Sequence, residues 1–95
     1  MAKIVKILHS DPGHSWLAVK LSEIKMLGIE EDISVYSYVK GKTAYLEEDC
    51  DAGKFIDAMK SKGIDVEVKQ GAHRPRSPIR YLKSYSPETL SAGQN

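Results

Sequence analysis

Ile33-Ser34-Val35-Tyr36-Ser37-Tyr38-Val39-Lys40, then Gly41, then Lys42-Thr43-Ala44-Tyr45-Leu46-Glu47-Glu48-Asp49 is the stretch of this 95-residue chain that decides its fold. Both runs are rich in the β-branched and aromatic residues that suit a pleated sheet, and the glycine between them marks a tight turn. The spacing predicts a hairpin. With Gly41-Lys42 as a two-residue turn, Lys40 pairs with Thr43, Tyr38 with Tyr45 and Tyr36 with Glu47. Alternation then sends Val35, Ser37, Val39, Ala44 and Leu46 to a face suited to lie under helices, and Tyr36, Tyr38, Tyr45 and Glu47 to the other. A slip of one residue in the turn would exchange the two sets.

Outward from the hairpin the remaining elements fall into order. Lys3 to His9 reads as a buried strand stopped by Ser10-Asp11-Pro12-Gly13, and Trp16 to Lys20 restarts as a second strand. Leu21, Ile24 and Leu27 change the period to that of a short helix, which Gly28 is placed to end. After the hairpin, Asp49 or Asp51 is expected to cap a second helix with a stripe of Phe55, Ile56, Ala58 and Met59, stopped by Gly63. Ile64 to Lys69 is a final short strand. The order β-β-α-β-β-α-β has hairpins too frequent and helices too short for an all-parallel sheet. It predicts an α+β fold: a mostly antiparallel sheet, two short helices on one face, and an Arg/Pro-containing C-terminal tail. Residues 1–83 are expected to form one domain and 84–95 a flexible tail, since a chain of this length has room for one core.

Composition narrows the function classes. Hydrophobic residues at 41% and charged residues at 28% are ordinary for a globular domain. A net charge of +1 supplies no global field for nucleic acid or an anionic membrane, so neither is an expected partner. The charge is uneven, however. Residues 1–67 hold nine basic and twelve acidic side chains, whereas residues 68–95 hold five basic and one acidic, with Arg74, Arg76 and Arg80 close together. The one cysteine, Cys50, excludes an internal disulfide and suits a reducing compartment; it is expected to be an inert, partly buried thiol. The N-terminal apolar run is too short and too charged for a signal peptide, and no stretch approaches a membrane span, so a cytoplasmic location is expected.

Three segments carry chemistry. His9-Ser10-Asp11-Pro12-Gly13-His14-Ser15-Trp16 brings two imidazoles and a carboxylate to one loop, but no fourth ligand or helical histidine spacing accompanies them, so no metal site is assigned. The plain reading is a turn in which Asp11 caps backbone amides; a richer one has His9 and His14 donating to a polar ligand on which Trp16 stacks. Tyr45-Leu46-Glu47-Glu48-Asp49-Cys50-Asp51 crowds four carboxylates that strand alternation does not converge, and only Glu47 is given a site role. His73-Arg74-Pro75-Arg76-Ser77-Pro78-Ile79-Arg80-Tyr81 joins guanidinium forks, which match phosphate, to a tyrosine able to stack. Its plain reading is a solvated tail whose arginines pair with the acidic cluster.

Taken together, His9-Ser10-Asp11-Pro12-Gly13-His14-Ser15-Trp16-Leu17, Tyr36-Ser37-Tyr38 with Gly41, Tyr45-Leu46-Glu47-Glu48-Asp49 and Ser77-Pro78-Ile79-Arg80-Tyr81 resemble a set of small uncharacterised accessory proteins encoded by bacteriophages and prophages. The resemblance spans residues 3–81. It implies a viral accessory setting and transfers no catalytic residue. Small phage proteins of this size often act against host defence, some by sequestering signalling nucleotides between subunits. By analogy with these, the expected function is non-catalytic capture of a phosphate-bearing nucleotide signal, a cyclic dinucleotide or an ADP-ribose derivative, in a pocket completed by self-association. No cofactor is expected. Arg76 and Arg80 would hold phosphates, Tyr36, Tyr38, Tyr45, Tyr81 and Trp16 would supply rings, and His9, His14 and Glu47 would read polar edges. Two other classes stand beside this one: a module that docks on a host protein through the tyrosine face or the Arg-Pro tail, and a small phosphodiesterase with His9 and His14 as acid and base.

Overall fold

The computed structural model describes residues 2–73 and 78–88. It is an α+β fold built on one mixed sheet. The strands are β1 (Ala2–Ser10), β2 (Ser15–Lys20), β3 (Tyr38–Lys40), β4 (Thr43–Glu47), β5 (Ile64–His73) and β6 (Lys83–Ser84), and the helices are α1 (Leu21–Leu27) and α2 (Gly53–Ser61). In space the strands run β5-β1-β2-β4-β3-β6. β1 and β5 are parallel, joined by the long crossover that carries both helices, and every other neighbouring pair is antiparallel. Among the described residues no helix is long and apolar enough to cross a membrane.

Strand alternation divides the sheet into two unlike faces. Leu8, Leu17, Val19, Val39, Ala44 and Leu46 point to one side and are buried together with Ile24 of α1 and Phe55 and Met59 of α2 in a single core. α1 starts where the Glu23 carboxylate accepts the Lys20 amide at 2.8 Å, and ends where the Gly28 amide donates to the Lys25 carbonyl. Glu23 also receives the Lys6 ammonium at 2.6 Å, fixing the helix to β1. The opposite face carries Val5 and Ile7, still 48% and 37% exposed, and neither α1 nor α2 covers it.

The hairpin forms with the expected turn: Gly41 has φ +60°, and Lys40 pairs with Thr43 and Tyr38 with Tyr45. Its first strand is shorter than the sequence predicts. Residues 33–37 do not extend the ladder, and the expected Tyr36–Glu47 pair is absent, so Glu47 keeps a strand partner only on its β2 side, where it stands opposite Trp16. The physical reason is Asp51. Its carboxylate, fully buried, accepts the Ser34 amide at 3.0 Å, the Ser34 hydroxyl at 2.7 Å and the Ser37 hydroxyl at 2.5 Å. These bonds curl the chain away from the strand, as serine and aspartate side chains do when they compete with ladder bonds. Val35 is thereby turned out, 66% exposed, rather than placed under the helices.

Two further expectations are corrected. Neither Asp49 nor Asp51 caps α2. Residues Glu48–Ala52 form one π-helical turn leading into the helix, and the Glu47 carboxylate accepts the Asp49 and Cys50 amides at 2.7 and 3.0 Å. The ordered domain also runs past residue 83. Ser84 lies in β6 against Tyr38, and Tyr85 is buried, its hydroxyl donating to the Glu30 carbonyl at 2.7 Å and its amide to the Ser37 carbonyl at 2.8 Å. The part of the expected tail at 89–95 lies outside the described residues.

Candidate functional site

The loop between β1 and β2 is a side-chain-capped turn. Asp11 Oδ1 accepts the amides of Gly13 and His14 at 3.0 Å each, and the Asp11 amide donates to the His14 carbonyl at 2.9 Å. The same carboxylate, with its side chain 1% exposed, receives Nε and Nη2 of Arg80 at 2.5 and 2.8 Å. This two-point pair ties the 3-10 turn Pro78–Tyr81 to the start of β2, with Ile79 buried beneath it. It also raises the guanidinium pKa, mainly through the hydrogen bonds to Asp11. Gly13 makes the approach possible. A Cβ there would meet Arg80 Nη2 at 2.6 Å, and that atom has little freedom to retreat while Asp11 holds it.

Arg80 also lies over the Trp16 ring, its Cζ 5.7 Å from the centroid. Trp16 touches Tyr38 edge-on at 6.3 Å and His14 at 5.8 Å between ring centroids. His14 Nδ1 is 3.2 Å from Glu47 Oε2. These residues, with Tyr36, Asp49 and Cys50, line a cleft of ≈ 320 Å³ at one end of the helix-free face. Strand register explains the grouping: Trp16 stands opposite Glu47 on β4, and Tyr38 follows one strand beyond.

Of the residues singled out in the sequence, His14, Trp16, Tyr36, Tyr38, Glu47 and Arg80 meet in this cleft. His9 and Tyr45 do not line it; they stand against each other on the same face, ring centroids 5.9 Å apart. The two histidines thus have different surroundings, and an acid–base pair sharing one reacting atom is not assembled here. Tyr81 is 69% exposed and is not a wall of the cleft. Arg76 lies outside the described residues. Among the described residues no three His, Cys, Asp or Glu side chains converge as a metal site requires.

Two wall residues lie outside the site that the sequence suggests. Asp49 and Cys50 reach the cleft because the π-helical turn after Glu47 folds back beside it. Cys50 is exposed rather than partly buried. Desolvation of its sulfur, reinforced by the carboxylates of Glu47, Asp51 and Asp49, holds the thiol above its ordinary pKa, which makes it a poor nucleophile.

One atom of the cleft stands apart. Trp16 is 2% exposed, and its indole N–H has no hydrogen-bond acceptor among the described residues. Leaving a buried donor unpaired costs roughly 1–3 kcal/mol, so such groups are rare and call for an explanation. No protein-family model matches the chain, and no curated protein or solved structure matches it either.

Proposed function

We propose that the protein is a non-catalytic binder that captures a phosphate-bearing nucleotide signal, in the phage-accessory setting that its sequence resemblance implies, and so blunts a host antiviral response. The observation that carries this reading is that Trp16, a ring lining an aromatic cleft, has a buried N–H with no acceptor among the described residues. A bound base with a ring acceptor would relieve that donor, and the rings of Trp16, Tyr36 and Tyr38 offer flat surface for stacking. Cys50, the thiol that lines the cleft, is held above its ordinary pKa by desolvation and the carboxylates around it, which favours holding over turnover there.

Charge arranges the ligand. Glu47 and Asp49 line the cleft and repel a phosphate from that wall, so the base and sugar enter and the phosphate stays beside Arg80. Asp11 uses Nε and Nη2 of that guanidinium, while Nη1 makes no hydrogen bond among the described residues. A volume of ≈ 320 Å³ is at the small end for ligand sites, enough for one nucleoside rather than both halves of a dinucleotide.

Calorimetric titration with ADP-ribose, cyclic dinucleotides and single nucleotides tests this. Saturable heat at one ligand per cleft, lost in Arg80→Ala and absent with inorganic phosphate alone, is the expected result. Silence across the panel, in heat and in melting temperature, removes the reading. A second reading, docking on a host protein, is favoured by the exposed Val5 and Ile7 on the helix-free face.

A further inference from the structure

The two edges of the sheet are built differently. At one end β6 has two residues, Lys83 and Ser84, and so offers almost no unpaired backbone. At the other, β5 runs ten residues from Ile64 to His73, and no strand among the described residues pairs with its outer side. Sheet edges are usually blunted by short length, proline, charged side chains, or a bulge that twists the strand away, and on β5 the charges of Asp65, Glu67 and Lys69 decide which partner strand is barred and which admitted. β5 has no proline, and its pairing with β1 is regular from Ile64 to Gln70; the register shifts only beyond, between Leu8 and Ser10 of β1. A row of amides and carbonyls that no described strand pairs is a template for another strand.

We propose that this edge pairs antiparallel with β5 of a second copy of the chain, forming one continuous sheet through a twofold axis at Val68. Charge selects both partner and register. A twofold normal to the sheet keeps like faces together, so the axis must pass through a residue that faces itself. Centred on Glu67, it sets two Asp65–Lys69 pairs but places the two Glu67 carboxylates directly opposite each other at the axis. Centred on Val66, it sets Asp65 opposite Glu67 twice. Centred on Val68, it sets Glu67 opposite Lys69 twice, and opposite charges across a strand pair are favourable where like charges are not. This register also places Val68, 39% exposed in one chain, against its own copy.

Glu67 already holds Lys3 at 2.5 Å and lies 3.8 Å from Lys69, so these side chains stand together on the helix-free side of the strand. Pairing joins two such sets into one network. The inference is independent of the nucleotide reading, because the cleft is walled by β2, β3 and β4 and stays open in both copies.

Sedimentation equilibrium and native mass spectrometry of the full chain test it by charge exchange. The unaltered chain is expected to dimerise. Lys69→Glu and Glu67→Lys, each placing like charges opposite one another, should each weaken the dimer by about tenfold or more. The double exchange should recover most of that loss. Hydrogen exchange on the unaltered protein gives a readout without substitution: amides of residues 64–70 should gain protection as concentration rises, and those of β6 should not. A chain monomeric at every concentration overturns the proposal, and so does a dimer that neither single exchange weakens.

Discussion

Asp51 and Trp16 are buried to nearly the same degree, one within the π-helical turn and the other in the wall of the cleft, and their polar atoms are treated in opposite ways. Around Asp51 the chain meets its own needs: the Ser34 amide, the Ser34 and Ser37 hydroxyls and the Lys54 ammonium all donate to one carboxylate. At Trp16 the described residues supply a donor and no acceptor. Burial removes water from both groups, so the difference lies in what replaces it. Polar groups satisfied from within hold the fold. A buried donor left unmet, on a ring that lines a cleft, marks a place where a group from outside is the missing partner under the proposed reading.

The comparison is broken most forcefully at Asp51. Asp51→Ala leaves the Ser34 and Ser37 hydroxyls and the Ser34 amide without their acceptor, and loses the bonds that bend residues 33–37 away from the strand. A loss of about 3 kcal/mol is expected, read as a fall in the urea midpoint at unchanged slope. Nucleotide affinity should follow only through the fraction folded. If stability is untouched, Asp51 is not the internal anchor that its contacts imply.

Tyr85 belongs with Asp51, since its hydroxyl also finds a partner within the chain, and it gives that side of the comparison a pH signature. Burial first, then the carboxylates of Glu30, Glu31 and Asp51, push its pKa up to about 12. In an unfolded chain tyrosine ionises near about 10. The unfolded state therefore gives up this proton first. The group's contribution is whole below about pH 10, falls as the pH rises from there, and is gone above about 12. Roughly 2 to 3 kcal/mol should be lost across that window. Urea midpoints measured from pH 9 to 11 should slope downward, and Tyr85→Phe should flatten the slope while costing about 1 kcal/mol at neutral pH. A slope unchanged by the substitution assigns the alkaline loss to other groups.

These two regions also mark where sequence reasoning reaches and where it stops. The Gly41 turn, the Tyr38–Tyr45 register and both helices were legible, because hydrophobic period and turn chemistry are local signals. The shortening of β3 was not. It depends on Asp51, which lies 17 residues from Ser34 and whose nearest simple role was as a helix cap. Six site residues meeting at one cleft were named from residue type, and the register of β2 against β4 brings Trp16 beside Glu47. His9 and Tyr45 fall outside because the same alternation that keeps them on that face sets them against each other. The pairing of Arg80 with Asp11 spans 69 residues, and no local pattern predicts it.

The finest separation of the two kinds of polar group comes from Trp16→Phe, where the expected effect on the fold is the smallest. Phenylalanine keeps an aromatic ring against Tyr38 and His14, loses some packing volume, and removes the unpaired N–H. The first change destabilises and the second stabilises, so the urea midpoint should move by no more than about 1 kcal/mol. Binding should respond differently. A ligand whose acceptor met the indole loses that bond and with it about tenfold in affinity, with stoichiometry unchanged. Calorimetry and denaturation on the same preparation therefore distinguish the roles: a large stability loss with unchanged affinity would make Trp16 a second Asp51, a fold group whose missing acceptor has no bearing on the cleft.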